Sequence, residues 1–146
     1  MIREFIAGAP YLVALSAGFF VQVFKFLTHL VWKRELNFTR LVGTGSMPSS
    51  HSASVGALTT SVGFLEGTQS ALFGVTLFFS LVIMYDAAGL RRAAGLQARV
   101  LNRIVEDHYA HRGWKAARLT ELLGHTPFEV LVGAAVGVAY GALWYL

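Results

Sequence analysis

The chain has 146 residues, of which 55% are hydrophobic and 14% are charged, and it contains no cysteine. This composition excludes an ordinary soluble domain, because one small core cannot bury so much apolar surface, and it predicts a single integral membrane domain over residues 1–146. The absence of cysteine excludes a disulfide framework, a thiol nucleophile and a cysteine-based zinc site. The net charge of +4 fits basic cytoplasmic loops that face anionic lipid headgroups, and we expect no nucleic-acid partner.

Four apolar segments are predicted to cross the membrane as helices, and the first two differ in character. The first runs from about Ala7 to Trp32, which is long enough to span the bilayer when tilted. Arg3 ahead of this stretch also fits a cleaved signal peptide, although the hydrophobicity continues past the length of a signal core. The second begins at the sequence GTGSMPSSHSA and ends near Leu65. Its many Gly, Ala, Ser and Thr residues favour tight packing between neighbouring helices.

The third and fourth segments are more continuously apolar. The third extends from Ser70 to Leu90 and is strongly apolar until Asp86. The fourth extends from Pro127 to Leu146, and its glycines recur at four-residue intervals, at Gly133, Gly137 and Gly141. Residues four apart lie on one side of a helix, so these glycines predict a smooth stripe for close contact with another helix.

Between the third and fourth segments, apolar residues from Leu90 to Val105 recur at helical spacing while charged residues occupy the other faces. This pattern is typical of an amphipathic helix that lies at the membrane interface. We therefore predict an all-α integral membrane helical bundle, with about four transmembrane helices plus an interfacial amphipathic helix.

The basic residues are concentrated in two loops, Lys33 to Met47 and Arg91 to His125. With four spans, both loops emerge on the same side, and the positive-inside rule predicts that this side is cytoplasmic. We expect an integral protein of the bacterial inner membrane, with a site that faces the cytoplasm and membrane lipids around it. A homodimer is expected, since four short spans make a small bundle.

The sequence MPSSHSA predicts the start of a membrane helix. Pro48 cannot continue a preceding helix, and Ser49 or Ser50 can cap the new one. The free N–H groups of such a terminus bind anions, and His51 in the first turn could donate a proton to the leaving oxygen of a bound phosphate. A plain N-cap without function explains the same residues.

The sequence LGHTPFEVLVG places His125 four residues before Glu129. If the helix begins near Thr126, both lie on one face and the carboxylate can accept a hydrogen bond from one ring nitrogen. That contact would orient the imidazole and raise the basicity of its other nitrogen, as in a catalytic dyad. Alternatively, Glu129 only stabilises the helix N-terminus.

The remaining charged residues within or beside the apolar segments are costly to place there unless they are paired or solvated, which makes them functional candidates. Arg91 and Arg92 are adjacent and point in different directions, so one is expected to bind a phosphate and the other a headgroup or Asp86. Asp86 is a candidate catalytic residue that could neutralise an arginine or hold a metal. Lys25 is a candidate phosphate ligand, but alone it could extend to the interface.

Three sequences carry a resemblance: GSMPSSHSA, YDAAGLRRAAGLQARVLN and LGHTPFEVLVG, in this order. Together with VQVFK at Val21 to Lys25, they resemble the divergent bacterial and plastid branch of the type-2 phosphatidic acid phosphatase superfamily. The resemblance implies a phosphohydrolase that works through a phosphohistidine, with no metal and no cofactor. It implies that His125 is the nucleophile and that Glu129 replaces the usual aspartate.

In the second motif of that superfamily, Pro48, Ser49 and His51 match, and Ser50 stands where glycine is usual. The first motif has two possible positions, Lys25 or the pair Lys33 and Arg40. The usual Ser-Arg before the nucleophile is replaced by TELLG, so Arg91 or Arg92 would have to supply that arginine from upstream.

The leading hypothesis is a membrane phosphatase that acts on a lipid phosphate or an isoprenoid diphosphate. This substrate is the expected partner of the protein in the membrane. The alternative is a non-catalytic lipid-phosphate binder or transporter, which needs positive charge but no nucleophile. A third hypothesis is a metal site that uses Asp86, His51, His125 and Glu129 as ligands. A haloperoxidase is disfavoured, since nothing marks a peroxide or halide site.

Overall fold

The computed structural model describes residues 2–34, 47–109, 119, 121 and 124–146. These residues form one helix of six residues and five longer ones: α1 (Ile2–Ala7), α2 (Pro10–Lys33), α3 (Ser50–Glu66), α4 (Ala71–Ala88), α5 (Leu90–Tyr109) and α6 (Pro127–Leu143). Within these ranges there is no strand, and the predicted all-α class is confirmed.

Local capping residues set the starts of the long helices. Ser49 caps α3, Ser70 caps α4 and Thr126 caps α6, each accepting a backbone N–H from the first turn. The starts of α4 and α6 agree with the predicted segments to within one residue, and Ser49, the cap of α3, is one of the two serines predicted for that role. The first segment differs, because the helical conformation ends after α1 and a new helix, α2, begins at Pro10. Proline suits that position, where its missing N–H has no helical partner.

The centre of the bundle is the contact between α3 and α6, which depends on the glycines of α6. A Cβ atom on Gly137 would overlap the backbone of Ala53, and one on Gly141 would lie 3.0 Å from the carbonyl oxygen of Ala57. The predicted contact stripe is confirmed. On another side of α3, Gly18 of α2 leaves space for the side chain of Ser54.

Helix α4 lies at the edge of the bundle and exposes most of its side chains. Ser80 and Ala87 are its buried residues, and the hydroxyl of Ser80 hydrogen-bonds that of Thr59 on α3 at 2.8 Å. Its large apolar side chains are exposed, among them Leu72, Val75, Phe78, Phe79 and Leu81. An apolar surface of this extent is typical of a face that contacts lipid.

Two stretches in the described part of the chain are long and apolar enough to cross a membrane. They are Pro10–Lys33 and Ala71–His108, which is α4 running on into α5. Helices α3 and α6 have 17 residues each. A helix of that length rises about 25 Å, less than the roughly 30 Å of a typical hydrocarbon core. The number of four transmembrane helices therefore stays a prediction.

Helix α5 has the amphipathic pattern that the sequence predicts. Leu96, Val100 and Ile104 are exposed on its apolar side, while Asn102 is buried against residues 119 and 121. The helix itself is confirmed, and its place at the membrane interface stays a prediction.

Candidate functional site

The first turn of α6 holds the pair that the sequence predicts. Thr126 caps the helix in a capping box, in which Glu129 Oε2 accepts the backbone N–H of Thr126 at 2.9 Å. The same oxygen lies 3.3 Å from Nδ1 of His125. Since the helix begins at Thr126, the predicted contact between His125 and Glu129 is confirmed. In the tautomer with its proton on Nδ1, His125 donates to the carboxylate, and its basicity rises at Nε2.

The N-terminus of α3 meets this turn directly. The backbone N–H of Ser49 donates to the carbonyl oxygen of Glu129 at 3.2 Å, and Gly133, one turn further along α6, leaves room for Ser49. The Ser49 hydroxyl accepts hydrogen bonds from the N–H and the hydroxyl of Ser52, at 3.3 and 3.0 Å. Two helix N-termini therefore lie together, and both favour a bound anion.

Ser50 and His51 occupy the first two positions of α3 after the cap. Ser50 is half-buried, whereas His51 is exposed. A side chain in the first helical turn lies beside the backbone N–H groups that an anion would contact. His51 is therefore placed at the accessible edge of the α3 terminus, whereas His125 is buried, 5% exposed.

The junction between α4 and α5 adjoins the residues that precede α6. The backbone N–H of His125 donates to the carbonyl oxygen of Ala87 at 3.2 Å. Gly124 packs so closely on the backbone of Arg92 that any Cβ there would overlap it. Asp86 is half-buried in the last turn of α4, next to Ala87. The structure thus brings the backbone of the upstream arginine motif beside Gly124, the residue before the nucleophile candidate.

The two arginines of this motif are described to different extents. The Arg92 side chain is exposed, in the first turn of α5. The side chain of Arg91 lies outside the described part of the chain, as do Arg40 and the basic residues Arg112, Lys115 and Arg118.

Lys25 supplies a positive charge from α2. It is only 6% exposed, and it interacts electrostatically with Glu129. A buried ammonium group requires compensation from nearby charges or hydrogen bonds, and the carboxylate that contacts His125 provides part of it. Of the two possible positions for the first motif, Lys25 is therefore buried and interacts electrostatically with Glu129, whereas Lys33 is exposed at the end of α2.

The alternative of a metal site receives no geometric support from the described residues. They contain no group of three or more His, Cys, Asp or Glu side chains that could hold a metal ion. Asp86, His51, His125 and Glu129 come from three helices and the segment before α6, and they do not form such a group.

Asn102 is a residue that the sequence analysis did not identify. Its amide donates to the Leu119 carbonyl oxygen at 3.0 Å and to the Glu121 carboxylate at 3.1 Å, and its side-chain oxygen accepts the Leu119 N–H at 2.9 Å. Arg99, one turn earlier, also contacts Glu121 at 3.2 Å. These contacts fix residues 119 and 121 to α5, a few residues before His125 in the sequence. A buried Asn on an amphipathic helix has no sequence signal that distinguishes it from a solvent-exposed one.

Comparison with known proteins identifies a family and a relative of this chain. A family model described as the divergent PAP2 family matches residues 6–140, a range that includes each of the site elements above. The "Uncharacterized membrane protein YuiD" of Bacillus subtilis is 40% identical over 146 residues, and the alignment covers 92% of each chain. No solved structure matches the chain.

Proposed function

The chain belongs to the divergent PAP2 family, and from this membership we propose that it is a membrane phosphatase that hydrolyses a lipid phosphate or an isoprenoid (di)phosphate through a phosphohistidine. The observation that carries the proposal is the 3.3 Å contact between the buried His125 and the half-buried Glu129, at the point where the N-termini of α3 and α6 meet. Attack on a phosphoryl group needs an oriented nucleophile and donors that stabilise negative charge, and an imidazole beside an anion-binding helix terminus supplies both.

The phosphate is proposed to bind between α2, α3 and the start of α5. Lys25 supplies a buried ammonium group, and the first turn of α3, around Ser50, supplies backbone N–H donors. Arg92 adds a guanidinium group whose planar fork suits phosphate oxygens. These donors stabilise the charge that spreads over the equatorial oxygens during phosphoryl transfer.

Nucleophilic attack is assigned to Nε2 of His125, because Nδ1 faces Glu129. The lone pair of Nε2 forms a bond to phosphorus while the bond from phosphorus to the lipid oxygen breaks, and that oxygen takes a proton from His51. Glu129 stabilises the positive charge on the phosphorylated imidazole through the Nδ1 proton. Water then attacks phosphorus and its proton passes to His51. The phosphorus–nitrogen bond breaks, which releases inorganic phosphate and regenerates free His125.

The substrate is proposed to enter from the membrane. Its apolar tail would lie along the exposed apolar side chains of α2 and α4, and its phosphate at the end of the bundle where α3 and α6 begin. The distribution of basic residues favours the cytoplasmic side for this end. Asp86, next to the Ala87 carbonyl that binds His125, is proposed to neutralise an arginine of the site.

The second candidate, a lipid-phosphate binder or transporter without catalysis, is favoured by one specific departure. The chain lacks the usual arginine immediately before the nucleophile, and Gly124 packs on the backbone of Arg92 instead. Phosphate binding needs the positive charges of the site but no nucleophile, so the requirement for His125 separates the two candidates.

The decisive experiment measures phosphate released from phosphatidate, phosphatidylglycerophosphate and polyprenyl phosphates by the purified protein in detergent. We expect release with at least one substrate, loss of it in His125→Ala and retention in the matched control His108→Ala on α5. Alkaline quenching with labelled substrate should trap the label on His125, since a phosphorus–nitrogen bond survives base better than acid. Undiminished hydrolysis by His125→Ala, or label on Ser49, Ser50 or Asp86, would contradict the mechanism.

A further inference from the structure

We propose that His29 is a further phosphate-binding residue, which contacts the non-transferred oxygens of the substrate phosphate and then the inorganic phosphate product. The inference rests on the proposed function, because the ligand is the phosphate that His125 would attack. Neither the family motifs nor the pairs described above include this residue.

The position of His29 on α2 directs it toward the bundle. Helix α2 buries residues at four-residue intervals along one side, Val13, Ala17, Val21 and Lys25. His29 is the next member of this series. Four residues correspond to about 400° of rotation, so His29 is displaced from Lys25 by only about 40° around the axis and by about 6 Å along it. His29 therefore extends the inward stripe by one turn, beyond the buried lysine.

The imidazole of His29 has a polar atom whose burial lacks an explanation in the fold. Its Nε2 is buried and has no hydrogen-bond partner among the described residues. A buried polar atom without a partner costs about 1–3 kcal/mol, and a ligand that supplied the missing hydrogen bond would recover that energy. The adjacent polar residue behaves differently, since the Thr28 hydroxyl donates to the Lys25 carbonyl oxygen of its own helix at 3.0 Å.

The direction of α2 side chains turns His29 back toward the level of Lys25. Side chains of a helix lean toward its N-terminus. The Lys25 side chain therefore leans along α2 toward the first turn of α3, and the His29 side chain leans toward Lys25. Gly18, level with Ser54 in the first turns of α3, marks how far α2 extends past the α3 terminus. His29 is therefore the next inward residue of α2 beyond Lys25, and we place the phosphate between these two side chains and the first turn of α3.

Inorganic phosphate and vanadate are suitable probes, because both report the anion site without requiring turnover. Their affinity for the full-length protein in detergent should fall by about 10-fold or more in His29→Ala, as expected for loss of one hydrogen bond to a charged group. His29→Gln should restore much of the affinity, since its amide can donate from near the position of Nε2. With an active substrate, KM should rise in His29→Ala while kcat changes less.

His108→Gln and His108→Ala on α5 serve as matched controls and should keep wild-type affinity. Wild-type phosphate affinity in a folded His29→Ala would overturn the inference, even if hydrolysis were established. Equal losses in His29→Ala and His29→Gln, accompanied by a lower melting temperature, would assign His29 a structural role and overturn it as well. Phosphate binding that depends on His29 in a protein with no hydrolysis would support the inference and contradict the catalytic proposal.

Discussion

The pair α3–α6 and the helix α4 are both apolar, but they use that character in opposite ways. Helices α3 and α6 bury small residues against each other, with Gly133, Gly137 and Gly141 all buried. Helix α4 buries only Ser80 and Ala87 and exposes large side chains. The candidate site lies at the end of the closely packed pair. Large exposed apolar side chains therefore mark α4, the helix expected to contact lipid, whereas small residues mark the helices that hold the candidate site.

The physical reason is the distance that small residues allow between helix axes. Where glycine faces alanine or serine, the backbones approach until they touch, and the resulting contact tolerates little displacement. The N-termini of α3 and α6 are thereby held at a separation at which Ser49 N–H reaches the Glu129 carbonyl oxygen, 3.2 Å away. Helix α4 is joined to this pair by isolated polar contacts, such as Ser80 to Thr59.

The largest expected effect follows from adding one methyl group to each region. Gly137→Ala should abolish stable folding, because the new Cβ would overlap the Ala53 backbone and a backbone cannot yield as a flexible side chain does. The same substitution at Gly74 on α4 meets nothing within 4 Å. Alanine has the better helix propensity by about 1 kcal/mol, so Gly74→Ala should melt at or above the wild-type temperature. Thermal unfolding in detergent compares the two.

A melting temperature for Gly137→Ala near that of the wild type would mean that α3 and α6 are farther apart in the membrane than in this structure. A loss of stability in Gly74→Ala would instead show that α4 packs against a partner. Either result would remove the contrast between the two regions.

A large effect on rate is expected from Glu129→Gln. This variant tests whether the site at the end of the α3–α6 pair is the catalytic site. Glutamine also forms a capping box, so the helix start should survive while the carboxylate charge opposite His125 is lost. We expect kcat to fall by about 10²-fold, in the range for a positioned acid–base group, in a protein that still folds. The measurement is phosphate release at saturating substrate.

If Glu129→Gln kept its rate but lost stability, the carboxylate would act only as a cap. Glu66→Gln is a matched control, since Glu66 ends α3 at the opposite end of the helix from Ser49, and it should leave kcat unchanged.

How much of this arrangement is predictable depends on the range of the interaction concerned. Local signals identified the helix starts at Ser49 and Thr126, and four-residue spacing identified the His125–Glu129 contact, because both depend on neighbours in the chain. The glycine interval in α6 indicated a contact stripe. The short helix α1 was missed, since it lies ahead of the apolar stretch and carries Arg3 and Glu4.

Long-range contacts were beyond prediction. The sequence could not indicate that Ala87 would bind the His125 backbone or that Asn102 would hold residues 119 and 121, because both depend on how separate helices dock. The same limit applies to Lys25, since its electrostatic interaction with Glu129 depends on how α2 and α6 are placed relative to each other.

A moderate effect is expected where α5 holds the chain before His125. Asn102→Ala removes three hydrogen bonds to Leu119 and Glu121 and should loosen the approach to the nucleophile. We expect kcat to fall by roughly 3- to 10-fold, which corresponds to about 1 kcal/mol of lost positioning. Gln97→Ala on the exposed side of α5 is the control and should keep the wild-type rate. Equal rates for both variants would show that α5 does not position His125.

The smallest effect is expected on the face of α4, where a matched pair of valines compares the two regions. Val62 on α3 is 4% exposed and Val75 on α4 is 53% exposed. Truncating a buried valine leaves a space that packed helices cannot close, so Val62→Ala should lower the free energy of unfolding by about 1–3 kcal/mol. Val75→Ala should change it by less than about 0.5 kcal/mol, because mobile lipid or detergent chains replace the lost methyl groups. Thermal melts of both variants, repeated in detergents of two chain lengths, provide the measurement. If Val75→Ala were as destabilising as Val62→Ala, the exposed face of α4 would be in contact with protein, and a second copy of the chain would be the partner to seek by cross-linking at that face.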